Sequence, residues 1–389
     1  MSEWKTVRLG DVCEIAAGQG APQGDSNYCN DGTPFVKAGN LIELIEGKHE
    51  NQIQKVSEEV AKSHKLKKYS AGSILFAKSG MSCMKGYVYQ LKNDSYVVSH
   101  LAIVKPKEDS SNYIEYCLRH IKPNTLVKDE AYPSISLQDI SNIQIPLPPL
   151  EEQKHIAAVL DKCSVLIAKH KRMLEKYDTL IKSRFIEMFG DPSKNNKKWE
   201  IKKLGDIIRV LGGYAFSSKA FKDSGIPVLR IGNINSGVFR PTNMVFWDDD
   251  EKIERYAIYP GDLVMSLTGT VGKDDYGNVC ILGNDYPKYY LNQRNAKLEI
   301  ISDLERFYLS YLLKFPEIKS RLTNISRGIR QANIANKDIE NLQIPVPPIE
   351  LQNDFATFVQ QIDKSKFAVQ KSLETAETLY KSLMQEYFE

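Results

Sequence analysis

The sequence contains the same succession of motifs twice, and this internal repeat constrains the fold more than any other feature. Three pairs of matching segments occur in the same order in both halves: LGD at 9–11 and 204–206, GN at 39–40 and 232–233, and DISNIQIPLPPLEEQ at 139–153 with DIENLQIPVPPIELQ at 338–352. The last pair is identical at 10 of 15 positions. A chain of 389 residues is too long for one ordinary core, so the repeat predicts two similar domains.

The spacing of the repeat separates each half into two parts. The separation between matching residues drifts from 195 at Leu9 to 189 at Ala71, and is then constant at 199 from Asp139 onward. Surface loops accept insertions, whereas an inserted residue in a packed helix rotates every later side chain by about 100°. Each half is therefore predicted to be a variable globular domain followed by a helix of fixed register. A duplication without functional symmetry is the alternative interpretation.

Apolar residues recur with a 3.5-residue period in the segment that closes each half, as in a coiled coil. Each segment follows a proline pair and has no internal Gly or Pro. We therefore predict two helices of about 40 residues, each roughly 60 Å long, that pack antiparallel. Lys366, the polar residue in the second stripe, is predicted to help set the register. The predicted packing residues are Ile156, Leu160, Cys163, Ile167, Leu174, Tyr177, Ile181, Phe355, Ile362, Val369, Leu373 and Leu383.

The predicted fold class is α+β: two similar mixed α/β domains joined by two long antiparallel coiled-coil helices, with an internal pseudo-twofold repeat. Strand-like runs, including 96–106 and 262–269, are separated by turn signals, and short helices are predicted at 111–121 and 304–314. The predicted parts are a first domain at 1–149, a long helix at 150–190, a polar linker at 191–198, a second domain at 199–348 and a second long helix at 349–389.

The sequence carries no signature of a catalytic, cofactor or metal site. It contains no GxxxxGK[ST] loop, no HExxH, no GxSxG and no Asn/Asp-Pro-Pro-aromatic motif. The six cysteines are scattered and no apolar run is long enough to cross a membrane, which favours a reducing cytoplasm. We therefore expect no enzymatic activity, cofactor or metal in this chain. An enzyme with a diverged site and a scaffold that binds only proteins remain the alternatives.

Several loops combine basic, amide and hydroxyl side chains that suit DNA. The net charge of +3 is too small to indicate nucleic acid by itself, so a DNA surface must be a local face. Arg, Gln and Asn can contact base edges, whereas Lys and Ser suit phosphates. The predicted DNA-binding residues are Lys78, Ser79, Lys85, Tyr132 and Ser134 in the first half, and Thr268, Thr270, Lys273, Arg327, Arg330, Gln331 and Asn333 in the second.

The repeated pattern of Trp, LGD, GN and IPLPPLEEQ followed by a long helix resembles the specificity subunit of type I restriction-modification enzymes. The resemblance covers the chain from Trp4 to Phe388 and is most specific at 142–161 and its echo at 341–360. The second copy reads ELQ where the first reads EEQ, a departure that leaves the match intact.

The resemblance implies two target-recognition domains, each reading one half of a bipartite double-stranded DNA target, and two helices that separate them and dock partners. It implies two modification subunits that bring S-adenosylmethionine and methylate adenine. It also implies restriction subunits that bring ATP, Mg and cleavage, and it implies no membrane partner. The helices would then act as a ruler, since roughly 60 Å exceeds one turn of B-DNA, about 34–36 Å.

Overall fold

The computed structural model describes residues 4–324 and 331–389. Its contacts divide the chain into two compact units, each of which contains a globular domain and one end of each long helix. Unit 1 comprises Met1–Lys171 and Ser372–Glu389, and unit 2 comprises Arg172–Lys371.

Both units mix short strands with short helices. The first half contains strands β1 (Lys5–Arg8), β2 (Cys13–Ala17), β3 (Thr33–Val36), β4 (Lys55–Val56), β5 (Ile74–Ala77), β6 (Val88–Gln90), β7 (Tyr96–Val97), β8 (Leu101–Pro106) and β9 (Gln144–Leu147). Its helices are α1 (Leu9–Val12), α2 (Asn40–Ile45), α3 (Glu58–Ser63), α4 (Ser111–Ile121), α5 (Leu137–Ser141) and the long α6 (Leu150–Phe189).

The second half also mixes short strands with short helices and ends in a long helix. Its strands are β10 (Glu200–Lys203), β11 (Ile208–Gly212), β12 (Ile226–Leu229), β13 (Val245–Trp247), β14 (Ala257–Ile258), β15 (Leu263–Ser266), β16 (Thr268–Thr270), β17 (Val279–Ile281), β18 (Tyr289–Leu291), β19 (Asn295–Ile300), β20 (Gln331–Asn333) and β21 (Gln343–Val346). Its helices are α7 (Arg306–Lys314), α8 (Pro316–Thr323), α9 (Asn336–Glu340) and the long α10 (Ile349–Phe388).

The main sheets of the two units have matching strand orders. A four-stranded antiparallel sheet has the order β2-β8-β5-β6 in unit 1 and β11-β19-β15-β17 in unit 2. A second sheet contains one parallel pair, β3 with β7 in unit 1 and β12 with β18 in unit 2. The predicted α+β fold class with two similar mixed domains and two long helices is therefore confirmed.

The opening and closing motifs of each half meet in a two-stranded ribbon. β1 pairs with β9, and β10 pairs with β21. The amide of Leu9 donates to the carbonyl of Ile143 at 2.8 Å, and that of Leu204 donates to Leu342 at 2.8 Å. The prolines of the repeated motif are tolerated because a two-stranded ribbon leaves edge positions that need no N–H donor. The repeated motifs thus close each domain beside the start of its long helix.

A buried glutamine explains why EEQ and ELQ both serve this junction. The side chains of Gln153 and Gln352 are 1% and 0% exposed. Gln153 Oε1 accepts from the amide of Ser110 at 3.0 Å, and Gln352 Oε1 accepts from the amide of Glu305 at 2.8 Å. Each Nε2 donates to a carbonyl of the preceding proline pair, at 3.0 and 2.7 Å. The glutamine therefore ties the short helix α4 or α7 to the first turn of the long helix.

In unit 1, the beginning of α6 packs against the end of α10. Ile156 and Leu160 share one apolar core with Met384. Further along α6, Lys171 Nζ lies 2.9 Å from Glu377 Oε1. Residues of increasing number along α6 thus contact residues of decreasing number along α10, so the two helices are antiparallel in this unit.

In unit 2, the end of α6 packs against the beginning of α10, and this packing is also antiparallel. Lys366 Nζ lies 2.6 Å from Asp178 Oδ1. The rings of Phe185 and Phe355 have centroids 5.4 Å apart. The polar residue of the second stripe therefore has a carboxylate partner on the facing helix.

The residues predicted to pack between the helices differ in burial. Ile156, Leu160, Ile181, Phe355 and Leu373 are buried. Cys163, Ile167, Leu174, Tyr177, Ile362, Val369 and Leu383 are half-buried. Phe185 and Phe189 are not in the predicted set, yet they are 0% and 3% exposed. Both rings contact Tyr308 of α7, so they join the helix to the globular domain.

The segment 191–198, predicted as a polar linker, forms turns within unit 2. The side chain of Asn195 accepts from the amide of Trp199 at 2.9 Å and donates to its carbonyl at 2.8 Å. The indole Nε1 of Trp199 donates to the carbonyl of Phe189 at 2.8 Å. These bonds fix the start of the second half against the end of α6.

Candidate nucleic-acid interface

In unit 1, two of the predicted DNA-binding loops lie side by side. Ser79 and Ser134 form an antiparallel bridge. The amide of Ile135 donates to the carbonyl of Lys78 at 2.8 Å, and the amide of Gly80 donates to that of Pro133 at 2.9 Å. Backbone pairing therefore places the two loops on one edge of the unit.

Unit 2 builds the corresponding edge from its own two loops. β16 pairs with β20 in antiparallel register, with Thr268 opposite Asn333 and Thr270 opposite Gln331. Lys273 follows in the same loop, where its amide donates to the carbonyl of Thr270 at 3.0 Å. The predicted residues Arg327 and Arg330 lie outside the described residues, and for Gln331 only the backbone is described.

Most of the predicted residues are open to solvent. Tyr132 is 82% exposed. Lys85, Ser134, Thr270, Lys273 and Asn333 are also exposed, whereas Lys78, Ser79 and Thr268 are half-buried. Lys85 ends the short 3-10 helix Met81–Lys85. These side chains are accessible to a partner.

The hydroxyl of Thr270 already has a partner within its loop. The amide of Thr270 donates to Asp275 Oδ1 at 2.8 Å, and its Oγ1 donates to Asp275 Oδ2 at 3.0 Å. These bonds, the backbone one foremost, hold the pKa of Asp275 below its ordinary value. A carboxylate that stays ionised beside the loop repels phosphate, so Thr270 suits shaping the loop better than binding the DNA backbone.

A tight turn, which the sequence prediction missed, joins the same edge in both units. The amide of Lys78 donates to the carbonyl of His100 at 2.9 Å, and the amide of Leu267 donates to that of Arg294 at 2.8 Å. His100 and Arg294 are exposed. Within the described part of the chain, no side chain pairs with the Arg294 guanidinium. The edge therefore presents a free arginine in unit 2 and a histidine in unit 1.

The strand-like runs at 96–106 and 262–269 do form strands, but each contains two rather than one. The first run divides into β7 and β8, and the second into β15 and β16. The turn between β7 and β8 is closed by the amide of Leu101, which donates to Val98 at 3.0 Å. The chain changes sheets there, and both strands are buried. An apolar run gives no periodic signal for such a break.

The repeated GN motif forms a second turn near this edge. Asn40 Oδ1 accepts from the amide of Lys37 at 2.9 Å, and Asn233 Oδ1 accepts from that of Arg230 at 3.0 Å. The repeat identified the asparagine from sequence, but it did not indicate the basic residue three positions earlier, Lys37 or Arg230. Since that cation begins the turn in both units, the motif orients Lys37 or Arg230 at the end of a buried strand.

In unit 2, the two turns border one cavity of about 450 Å³. Its lining includes Arg230, Asn243, Gln293 and Arg294. Arg230 Nη2 donates to the carbonyl of Asn243 at 2.5 Å, and its guanidinium lies 6.0 Å from the ring centre of Phe221. Guanidinium and amide groups in a cleft match the donors and acceptors of base edges.

No group of His, Cys, Asp and Glu in residues 4–324 and 331–389 has the arrangement of a metal site. No helix in the same ranges is long and apolar enough to span a bilayer. All six cysteines are free.

Comparison with known families decides the relationship of this chain. The model of the type I restriction modification DNA specificity domain matches residues 1–176 and again residues 196–377. The chain belongs to this specificity-domain family. Its two copies of the specificity domain coincide with the two halves of the internal repeat.

Individual relatives span nearly the whole chain with both specificity domains. The type I restriction enzyme MjaVIII specificity subunit of Methanocaldococcus jannaschii is 25% identical over 416 residues, covering 98% of this chain and 91% of the relative. The crystal structure of the S subunit of the type I restriction-modification system from M. genitalium is 15% identical. It covers 99% of this chain and 96% of that chain, with a TM-score of 0.65. A chain from a structure of the type I R-M system, solved for its complex assembly and conformational transition, is 18% identical. It covers 100% of this chain and 98% of that chain, with a TM-score of 0.52.

Proposed function

We propose that this chain is the DNA-specificity subunit of a type I restriction-modification enzyme and that each unit reads one half of a bipartite double-stranded target. The observation that carries the proposal is the edge built twice from the same parts. In both units, a polar loop pairs with a distant segment, and a backbone amide beside this pairing donates to the carbonyl of a tight turn, at 2.9 Å in unit 1 and 2.8 Å in unit 2. The two edges differ in side chains, as two half-sites of different sequence require.

The side chains of the edges divide by the DNA group they suit. Arg294 and Gln293 in unit 2 carry the planar donors that recognise base edges, whereas Lys78 and Lys85 in unit 1 suit phosphates. The two units therefore contact base and backbone in different proportions. Arg327 and Arg330 stay proposed contacts of unit 2.

The proposal assigns no catalysis and no cofactor to this chain. Two modification subunits would bring S-adenosylmethionine for adenine methylation, and restriction subunits would bring ATP and Mg for cleavage. The relatives that support this division are named as specificity subunits. Exposed apolar residues on the long helices, such as Val165 at 67% and Phe367 at 73%, supply surface for docking these partners.

Replacing Arg294 with alanine tests the reading edge of unit 2. On a duplex with the mapped methylation target, we expect binding by the complete complex to weaken about tenfold or more, since one base contact contributes roughly 1–3 kcal/mol. On a duplex in which the half-site read by unit 2 has been scrambled, Arg294→Ala should cause no further loss of affinity. Fluorescence anisotropy at one fixed salt concentration measures both.

Arg209 supplies the matched control for that experiment. It is also an exposed arginine of unit 2, but it lies at the other end of the same sheet and pairs with Glu299 at 3.1 Å. Arg209→Ala should leave specific binding within about twofold, the range of a surface change. If both variants lose the same affinity for the duplex, or if binding depends on neither salt nor sequence, the chain acts as a scaffold that binds only proteins.

The long helices predict the spacer between the two half-sites. Deleting one heptad from each, 168–174 from α6 and 372–378 from α10, shortens the pair by about 10 Å at 1.5 Å per residue. We expect the nonspecific spacer to shrink by about three base pairs at roughly 3.4 Å each. Methylome sequencing of cells with the complete complex reads the spacer directly. A spacer of unchanged length would contradict the hypothesis that the length of the helices sets the spacer.

A further inference from the structure

Unit 2 contains a second and larger cavity, lined by other residues than the cavity beside Arg230 and Arg294. Its volume is about 620 Å³, and it lies among α6, α7, α10 and the segment 274–279. Lysines from four helices line it, Lys182 on α6, Lys314 on α7, Lys319 on α8 and Lys366 on α10. The apolar part of the lining includes Phe315 and Val238. This volume is in the range of small-molecule sites, roughly 300–1,000 Å³.

Two of the lining cations are neutralised by the protein itself. Lys366 pairs with Asp178 at 2.6 Å. Lys319 pairs with Asp274 and also donates to Asn278 at 2.6 Å. These pairs need no ligand, so the remaining cations decide what the cavity attracts.

Lys314 and Lys182 form no ion pair with any described residue. Their ammonium groups instead lie over aromatic rings, Lys314 at 5.0 Å from the centre of Tyr311 and Lys182 at 5.8 Å from that of Phe315. Burial lowers the pKa of Lys314, and the carboxylates of Asp363 and Asp178 act on this lysine only through their longer-range fields. The cavity therefore has an excess of positive charge on one side.

Unit 1 provides an internal comparison for these residues. Tyr113 on α4 and Tyr308 on α7 occupy equivalent places, since both hydroxyls donate to the carbonyl of the first proline of the repeated motif, Pro146 at 2.8 Å and Pro345 at 2.6 Å. Counting along the helices from this anchor, Tyr116 corresponds to Tyr311, and Arg119 corresponds to Lys314.

In unit 1, both counterparts are satisfied by carboxylates. Tyr116 donates to Asp161 at 2.6 Å, and Arg119 donates to Glu115 at 2.7 Å. In unit 2, the place of Glu115 is taken by Ser310, which is buried and carries no charge. Among the described residues, the Tyr311 hydroxyl has no hydrogen-bond partner. At the constant separation of 199, the place of Asp161 is taken by Gln360, so unit 2 keeps the two donors of unit 1 but has neither carboxylate at these places, and a cavity lies beside the donors.

We propose that this cavity binds a small phosphorylated molecule of mononucleotide size. Its phosphate takes the place of the missing carboxylates, accepting from Lys314 Nζ and the Tyr311 hydroxyl, with Lys182 adding charge. A bare phosphate fills only a small part of about 620 Å³. The remaining space, bordered by Phe315 and Val238, suits an apolar or aromatic group.

Calorimetric titration of the full-length chain, free of DNA, tests the site with AMP as the probe. We expect one AMP per chain, competition by inorganic phosphate, and at least tenfold weaker binding of uncharged adenosine. Lys314→Ala and Tyr311→Phe should each weaken AMP binding tenfold or more. The matched variant Tyr116→Phe in unit 1 should bind AMP as the parent does, and so should Arg294→Ala at the DNA edge.

A second variant restores the acceptor that unit 1 has. Ser310→Glu places a carboxylate four residues before Lys314, as Glu115 stands before Arg119, and should abolish AMP binding. If Ser310→Glu does not fold, Lys314→Ala and Tyr311→Phe decide alone, since both sites line an open cavity. The proposal is overturned if the parent chain does not bind AMP, or if phosphate does not compete with AMP. It is also overturned if Lys314→Ala and Tyr311→Phe bind AMP as tightly as the parent does, or if Tyr116→Phe or Arg294→Ala weakens AMP binding.

Discussion

Replacing Phe185 with alanine is expected to lower the free energy of unfolding of unit 2 by about 3–5 kcal/mol, the usual cost of emptying a buried aromatic position. Phe185 is 0% exposed near the end of α6. Its ring centre lies 4.8, 4.9, 5.4 and 5.5 Å from those of Phe189, Phe315, Phe355 and Tyr308. These rings come from both long helices and from the globular domain, so no single element can move in to fill the gap.

Tryptophan fluorescence during urea unfolding measures this loss in the correct unit. Of the three tryptophans, Trp199 and Trp247 lie in unit 2, so a Trp4→Phe background leaves only reporters of that unit. Ile186→Ala is the control, because Ile186 is the next residue on α6 and is 43% exposed. It should cost less than about 1 kcal/mol. Similar losses for the two variants would contradict the assigned role of the aromatic cluster.

The long helices could be predicted from the sequence because a coiled coil places buried apolar residues in a repeat of seven. The predicted start and end of the first helix, 150 and 190, lie within one residue of Leu150–Phe189. The heptad pattern says nothing about the domain beside the helix, however. Phe185 and Phe189 were missed because their partners include Tyr308 and Phe315 of the globular domain.

The proposed interface was only partly visible in sequence, for a similar reason. The loops around Lys78 and Ser134 were predicted as contact loops, but their mutual pairing joins residues more than fifty positions apart. His100 and Arg294 were missed because they lie at tips between buried strands, where the surrounding apolar sequence resembles continuous strand. The repeated GN motif was detected, whereas its purpose became clear only from the bond between Asn233 and the amide of Arg230.

Replacing Gly213 with alanine is expected to displace the whole turn that carries Gln293 and Arg294. A Cβ on Gly213 would overlap the backbone of Leu291 and Asn292, at distances that real Cβ atoms do not reach. Backbone cannot rotate aside as a side chain can, so the turn must shift or the strand must bend. Overpacking of this kind costs about 1–3 kcal/mol of stability. Displacing together the two side chains proposed to read bases should weaken specific DNA binding roughly a hundredfold or more, at about 1–3 kcal/mol for each contact.

The neighbouring glycine provides the control for this variant. A Cβ on Gly212 would have its nearest neighbour, Asn336 Nδ2, at 3.8 Å, an ordinary van der Waals distance. Gly212→Ala should therefore bind the cognate duplex as the parent does, with stability changed by less than about 1 kcal/mol. Anisotropy on the cognate duplex and on one with a scrambled unit 2 half-site separates loss of reading from loss of fold. Because Gly213→Ala acts on unit 2 alone, it should keep its discrimination at the unit 1 half-site; loss at both half-sites would mean that the turn supports folding rather than reading.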